Sequence, residues 1–241
     1  SQTWTNDRIW IMNGKVVVRN GGTLTIQEGT IIKAEDGQGT DATALVIAKG
    51  GTLTANGTAE SPIVFTDKAD QLSYSNTDRI SPNRVATDTG KWGGLIILGQ
   101  ATVGEDGGED DIEGIATGYE WTKYGGSLDT DSSGTLNYIS IRHSGTALGN
   151  GDEIQGLTLG GVGSGTNVTN IEIVGSDDDG IEIFGGTVNV TNLTIWAQSD
   201  DAVDLDEGYA GTIDNVAVQM KASGDNIFEI DGTEDSTDER D

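Results

Sequence analysis

Two acidic clusters, Ser176-Asp-Asp-Asp179 and Ser199-Asp-Asp201, are the residues best suited to chemistry in this chain. Each precedes a short apolar segment, Gly180-Ile-Glu-Ile183 and Ala202-Val-Asp-Leu205, so Glu182 and Asp204 recur at the same 22-residue offset as Asp179 and Asp201. Stacked repeats would bring such carboxylates roughly 5 Å apart. Like charges that close require water, a raised pKa or a bound cation, and an all-oxygen set suits a hard ion such as Ca²⁺. Asp177, Asp179, Glu182, Asp201 and Asp204 are therefore candidate cation ligands. A second candidate is Asp129-Thr-Asp131-Ser-Ser-Gly134, which spaces two carboxylates as calcium loops do but lacks the bidentate Glu. The competing reading of all these acids is a solvated face.

The same turns admit an enzyme reading. Asp179, followed by Asp200 and Asp201, resembles the paired aspartate turns of β-helical polygalacturonases, where one carboxyl protonates the leaving oxygen and another activates water. The match then stops: the next coil offers Ser223-Gly-Asp-Asn226 where a Gly-His-Gly turn is needed, and no Arg-Ile-Lys motif follows. A lyase of the pectate type needs a Lys or Arg base beside its Ca²⁺ and meets the same objection. For binding without catalysis, Trp121, Tyr124 and Trp196 are candidates to stack on sugar rings, against the blander alternative that they cover loops. His143, the only histidine, reads as a packing residue. Gly160-Gly-Val-Gly-Ser-Gly165 lacks the Gly-Lys-Ser/Thr ending of a phosphate loop and reads as backbone turns.

The elements that position these residues are legible from a repeat. Val168-Thr-Asn-Ile-Glu-Ile173, Val190-Thr-Asn-Leu-Thr-Ile195 and Ile213-Asp-Asn-Val-Ala-Val218 share one template, and each is followed by a second short apolar segment. A period of 22 or 23 residues filled by short strands leaves no room for a helix. It predicts an all-β chain folded as a right-handed parallel β-helix, with Asn170, Asn192 and Asn215 stacked as an amide ladder. Earlier rungs are expected at Val16–Val18, Thr23–Ile26, Ala44–Ile47 and Ile63–Phe65, then along the apolar run Trp92-Gly-Gly-Leu-Ile-Ile-Leu-Gly99. The chain reads as a single domain over 1–241. Residues 1–14 are expected to form an N-terminal cap, 67–90 and 104–133 two long loop excursions, and 233–241 a polar tail of a chain cut short or processed.

Composition excludes several function classes. Forty acidic residues against 13 basic give a net charge of −27, which disfavours nucleic acid and anionic membrane surfaces. Between His143 and Lys221 there is no Lys, Arg or His, while 13 residues are Asp or Glu. With no cysteine there are no disulfides, thiolate metal sites or thiol nucleophiles. No run long enough to insert into a membrane is present.

Trp4-Thr-Asn-Asp, Gly22-Thr-Leu-Thr-Ile-Gln-Glu-Gly-Thr-Ile-Ile32, WGGLIILG, Ile112-Glu-Gly114, Tyr124-Gly-Gly126, GLTLGGVGSGT, DDDGIEIFGGTVN and DLDEGYAG occur in that order. This ordered set resembles a group of bacterial secreted or surface-attached β-helix proteins. The resemblance implies a right-handed parallel β-helix, an extracellular or cell-surface location, no established enzymatic activity, and relatives that run on beyond the GYAG segment. The expected function is a non-catalytic structural or adhesion module, with itself (end to end) or a surface glycan as partner and Ca²⁺ as the candidate cofactor. The alternatives are a polysaccharide-active enzyme and a calcium-dependent carbohydrate-binding module.

Overall fold

Runs of three to five β-branched and leucine residues, each closed by a glycine or an acidic turn, are too short to stand alone. They are stabilised only by stacking on the same segment of the next coil. The computed structural model describes residues 1–149 and 152–233, and over these the chain is a right-handed parallel β-helix. Among the described residues it makes seven coils with three walls.

The first wall is built from Gln2–Trp4, Thr23–Ile26, Thr52–Asn56 and the leading halves of Gly134–Arg142, Asn167–Val174, Asn189–Trp196 and Thr212–Gln219. The second takes Trp10–Met12, Ile31–Ala34, Ile63–Asp67 and the trailing halves of those long strands. The third takes Lys15–Val18, Ala44–Ile47, Leu95–Leu98, Leu157–Gly160, Ile181–Phe184, Val203–Asp206 and Phe228–Ile230. All inter-coil pairs are parallel and in register, so Leu95, Leu157, Ile181 and Val203 form one inward column of the core.

In the later coils a single residue makes the corner between the first and second walls. Tyr138, Asn170, Asn192 and Asn215 have φ of 48°, 54°, 59° and 62°, the left-handed region that asparagine tolerates better than most side chains. The expected amide ladder is present and longer than its sequence template. Asn170 Nδ2 donates to Asn137 Oδ1 at 2.8 Å, Asn192 Nδ2 to Asn170 Oδ1 at 2.9 Å, and Asn137 Nδ2 to Asn56 Oδ1 at 2.7 Å.

Residues 1–14 do more than cover an end: Gln2–Trp4 and Trp10–Met12 pair with the second coil and make the first. Trp4 and Trp10 stack there with centroids 5.6 Å apart. The run at 92–99 is a strand only over Leu95–Leu98. Trp92 instead lies inside the core against Phe65, with Nε1 donating to the Arg142 carbonyl.

The excursion at 67–90 lies on the second wall, where Leu72 packs with Ile31 and Val64 and Arg84 forms a bidentate pair with buried Asp67. The excursion at 104–133 contains the antiparallel pair Glu109–Asp111 and Lys123–Gly125 and covers the third wall. A further hairpin, Thr146–Gly149 with Asp152–Ile154, interrupts the fourth coil. The residues between its strands in the sequence are Asn150-Gly151, a pair that favours a two-residue hairpin loop. Of the expected polar tail, residues 234–241 lie outside the described residues.

Candidate functional site

The third wall carries an outward row whose chemistry changes along the axis. In register it reads Val46, Ile96, Thr158, Glu182, Asp204, Glu229. Over the early coils the row is apolar, and Val103 with Ile112 and Ile115 of the 104–133 excursion close over it. Where that cover ends, the row turns acidic.

Asp179, Glu182 and Asp204 converge there, with one carboxylate oxygen from each lying within 4.8 Å of the others. The chain topology explains the meeting. Asp179 ends the turn that leads into the third-wall strand of the fifth coil, Glu182 is the outward residue of that strand, and Asp204 is its register partner one coil on. Glu113, from the excursion, joins them by a hydrogen bond with Glu182. It is held in turn by Gln155 Nε2 at 2.7 Å, whose Oε1 accepts from Thr158 Oγ1 at 2.7 Å.

Burial is the main cause of the electrostatics. It lifts Glu113 to about 7, with the charge on Glu153 adding to it. Asp179 is lifted to about 9 by burial and the neighbouring Asp178, and Asp204 to about 7 by burial and Asp206. Glu182 is raised well above the usual carboxylate range by burial, then by Glu113 and Asp179. Two buried oxygens of this set, Glu182 Oε2 and Asp204 Oδ1, have no hydrogen-bond partner. An all-oxygen set with orphaned acceptors fits a hard divalent cation such as Ca²⁺, with Asp179, Glu182 and Asp204 as ligands.

The other expected ligands do not join this cluster. Asp177 is exposed and accepts from Thr89 Oγ1 at 2.7 Å, so it ties the 67–90 excursion to the turn. Asp201 belongs with Asp200 and Asp225 in a separate acidic group, and a hydrogen bond to Asp201 helps raise Glu229 to about 7. Asp129 and Asp131 do not turn toward a common centre. Asp129 Oδ1 accepts from the Thr102 backbone and hydroxyl, and Asp131 from the Gln100 backbone and side chain, so both brace the excursion against the third coil.

The proposed acid and base are committed to structure as well. Asp179 Oδ1 accepts the Asp201 N–H at 2.8 Å, and Asp201 Oδ1 accepts the Asn226 N–H one coil further. Each carboxylate thereby caps the turn beneath it, leaving Asp200 as the exposed member.

The aromatic candidates separate. Tyr124 is buried against Phe184, and its hydroxyl donates to buried Glu207, so it offers no stacking face. Trp196 is exposed on the second wall, whereas Trp121 is half-buried over the third and stacked on Tyr119. His143 is buried with φ 61° and Nδ1 hydrogen-bonded to the Asp88 carbonyl, and burial pushes its pKa down. Glu113 and Glu207 are the residues that sequence reasoning missed. Neither belongs to the repeated acidic turns: Glu113 reaches the wall only through the fold of the excursion, and Glu207 directly follows the third-wall strand Val203–Asp206, where Tyr124 of the excursion meets it.

A family model for the pectate-lyase-like β-helix domain matches residues 1–240. The chain belongs to this family. No curated protein and no solved structure matches it. The candidate site of this pectate-lyase-like β-helix domain lies on an outward row of one wall, where neighbouring coils place like residues side by side. Among its described residues no helix is long and apolar enough to cross a membrane.

Proposed function

We propose that this pectate-lyase-like β-helix domain is a non-catalytic extracellular or cell-surface module whose acidic row binds a divalent cation, Ca²⁺ by its donor chemistry. The observation that carries this reading is the burial of the carboxylates. Asp179 and Glu182 are 5% and 6% exposed, so a bare ion reaches them and a polysaccharide chain does not. A glycoside hydrolase needs two carboxyl groups open to opposite sides of a scissile bond, and here Asp179 and Asp201 are spent on capping backbone N–H groups. The sequence between His143 and Lys221 also provides no cation to hold a polyuronate or to serve as a lyase base. The extracellular placement is supported by the cysteine-free, strongly acidic composition and by the family.

The test combines calorimetric titration of the 241-residue chain with CaCl₂ and assay of product release from a polysaccharide panel. Ca²⁺ binding that disappears in Glu182→Gln, with no product released by the wild type, is the expected result. Product release that Glu182→Gln or Asp204→Asn abolishes would establish a polysaccharide-active enzyme instead.

A further inference from the structure

The cations that the acidic row lacks converge elsewhere. Arg19, Lys49 and Gln100 lie on the three stacked turns that leave the third wall in the first three coils, and the 104–133 excursion brings Glu120 and Trp121 over them. Together with Asn20 they line a cavity of about 280 Å³. That is close to the small end of ligand clefts, roughly 300 Å³, a size for one ring rather than a long polymer.

We propose that this cavity binds a single sugar ring carrying a carboxylate or sulfate, as at the end of an acidic surface glycan. The indole of Trp121 is half-buried and backed by Tyr119, with centroids 5.7 Å apart, and gives a rigid apolar wall for the C–H face of a sugar. Arg19 makes no side-chain hydrogen bond or ion pair among the described residues, so its planar fork is free to take an oxyanion in bidentate fashion. Lys49 is paired with Glu109 and bonded to the Gly125 carbonyl at 3.0 Å, so its ammonium is fixed in place with its charge largely balanced, and the oxyanion falls to Arg19. Gln100 gives its amide N–H to Asp131 at 3.2 Å and keeps its carbonyl oxygen for a hydroxyl. Glu120, exposed at the rim, accepts a hydroxyl and repels an anion placed on its side, so the charged substituent is directed to Arg19. Thirteen basic residues serve the whole chain, and the convergence of two beside a tryptophan sets this place apart from the acidic surface around it.

The experiment is a titration followed by tryptophan fluorescence and by NMR of the 241-residue chain, with EDTA present so that the cation site plays no part. The probes are methyl β-glucuronide, methyl β-glucoside, glucose 6-sulfate and inorganic sulfate. One or both anionic sugars should bind, and about tenfold or more tighter than the neutral glucoside, since one charge-assisted hydrogen bond is worth that much. Comparison of the two anionic sugars shows which substituent the site prefers. Arg19→Gln should remove the preference for the anionic sugar, and Trp121→Ala should abolish binding; Trp121→Phe, which keeps a ring, should restore part of it. Equal affinity for glucoside and glucuronide, indifference to Arg19→Gln, binding of inorganic sulfate as tight as that of the sugars, or no binding of any probe would each overturn the proposal.

Discussion

At the scale of single residues, the corner asparagines do two jobs at once. Asn192 holds φ 59° and both gives and receives a ladder hydrogen bond. Asn192→Ala loses both properties and is expected to destabilise by about 1–3 kcal/mol, from left-handed strain and orphaned neighbours together. Asn192→Gly relieves the strain alone and should recover part of that loss, as equilibrium unfolding in urea will show. If the glycine variant is no better than alanine, the left-handed backbone contributes nothing to stability. The three asparagines were legible in the sequence because they repeat; Asn56 and Asn137, one before the corner in the fourth coil, were not, because Tyr138 takes the corner position there. The acidic turns were legible in the same way. Their spacing placed Glu182 against Asp204, but spacing carries no information on burial, and burial is what separates an ion site from a catalytic one.

At the scale of elements, the 104–133 excursion is a cover pinned to the far coils by a buried polar contact. Gly160 has no Cβ, and one placed there would lie 2.8 Å from the Tyr124 ring, so glycine lets the tyrosine seat against the wall. Tyr124 then donates to Glu207, whose second oxygen is buried without a partner. Burial raises Glu207 to about 8. A carboxyl raised on folding binds its proton more tightly in the folded chain, so its stabilisation is complete below the unfolded pKa, near 4.5. That stabilisation is lost as pH rises through about 8. Thermal unfolding at pH 5 and pH 9 in EDTA should show lower stability at pH 9, and Glu207→Gln, which cannot ionise, should reduce that difference by the share of Glu207. The rest belongs to the other raised carboxyls, Asp179, Glu113, Glu182 and Asp204. An unchanged pH profile in Glu207→Gln would show that Glu207 is charged in the folded protein. No sequence pattern links residue 124 to 207. Two aromatic and acidic positions so far apart meet only because the excursion folds back along the axis, and for the same reason Tyr124 was misjudged as a sugar platform.

At the scale of the whole molecule, the architecture was legible because each coil repeats the same inside–outside alternation, while loop placement was not. The hairpin of Thr146–Gly149 with Asp152–Ile154 has Asn150-Gly151 between its strands, a hairpin signal, but it matches no rung of the repeat and so does not show in a reading built on repeats. The last described strand leaves Phe228 and Ile230, which continue the inward columns of Val203 and Leu205, at 46% and 70% exposure. An open sheet edge with apolar side chains favours association with another such edge. The 241-residue chain should therefore self-associate with rising concentration in sedimentation velocity runs, and Phe228→Asp with Ile230→Asp should return it to monomer. A wild-type chain that stays monomeric throughout would remove end-to-end assembly from consideration.

Because the coils stack in chain order, position in the sequence is also position along the rod. Eleven of the 13 basic residues come before His143, and the later coils are almost purely acidic. The molecule is thus an electric dipole laid along its own long axis. Two copies lying side by side repel in either direction, since each carries a net charge of −27. They repel least when antiparallel, with the early coils of one, which hold most of the cations, facing the late coils of the other, so the order of the charges biases the polarity of any array of these rods.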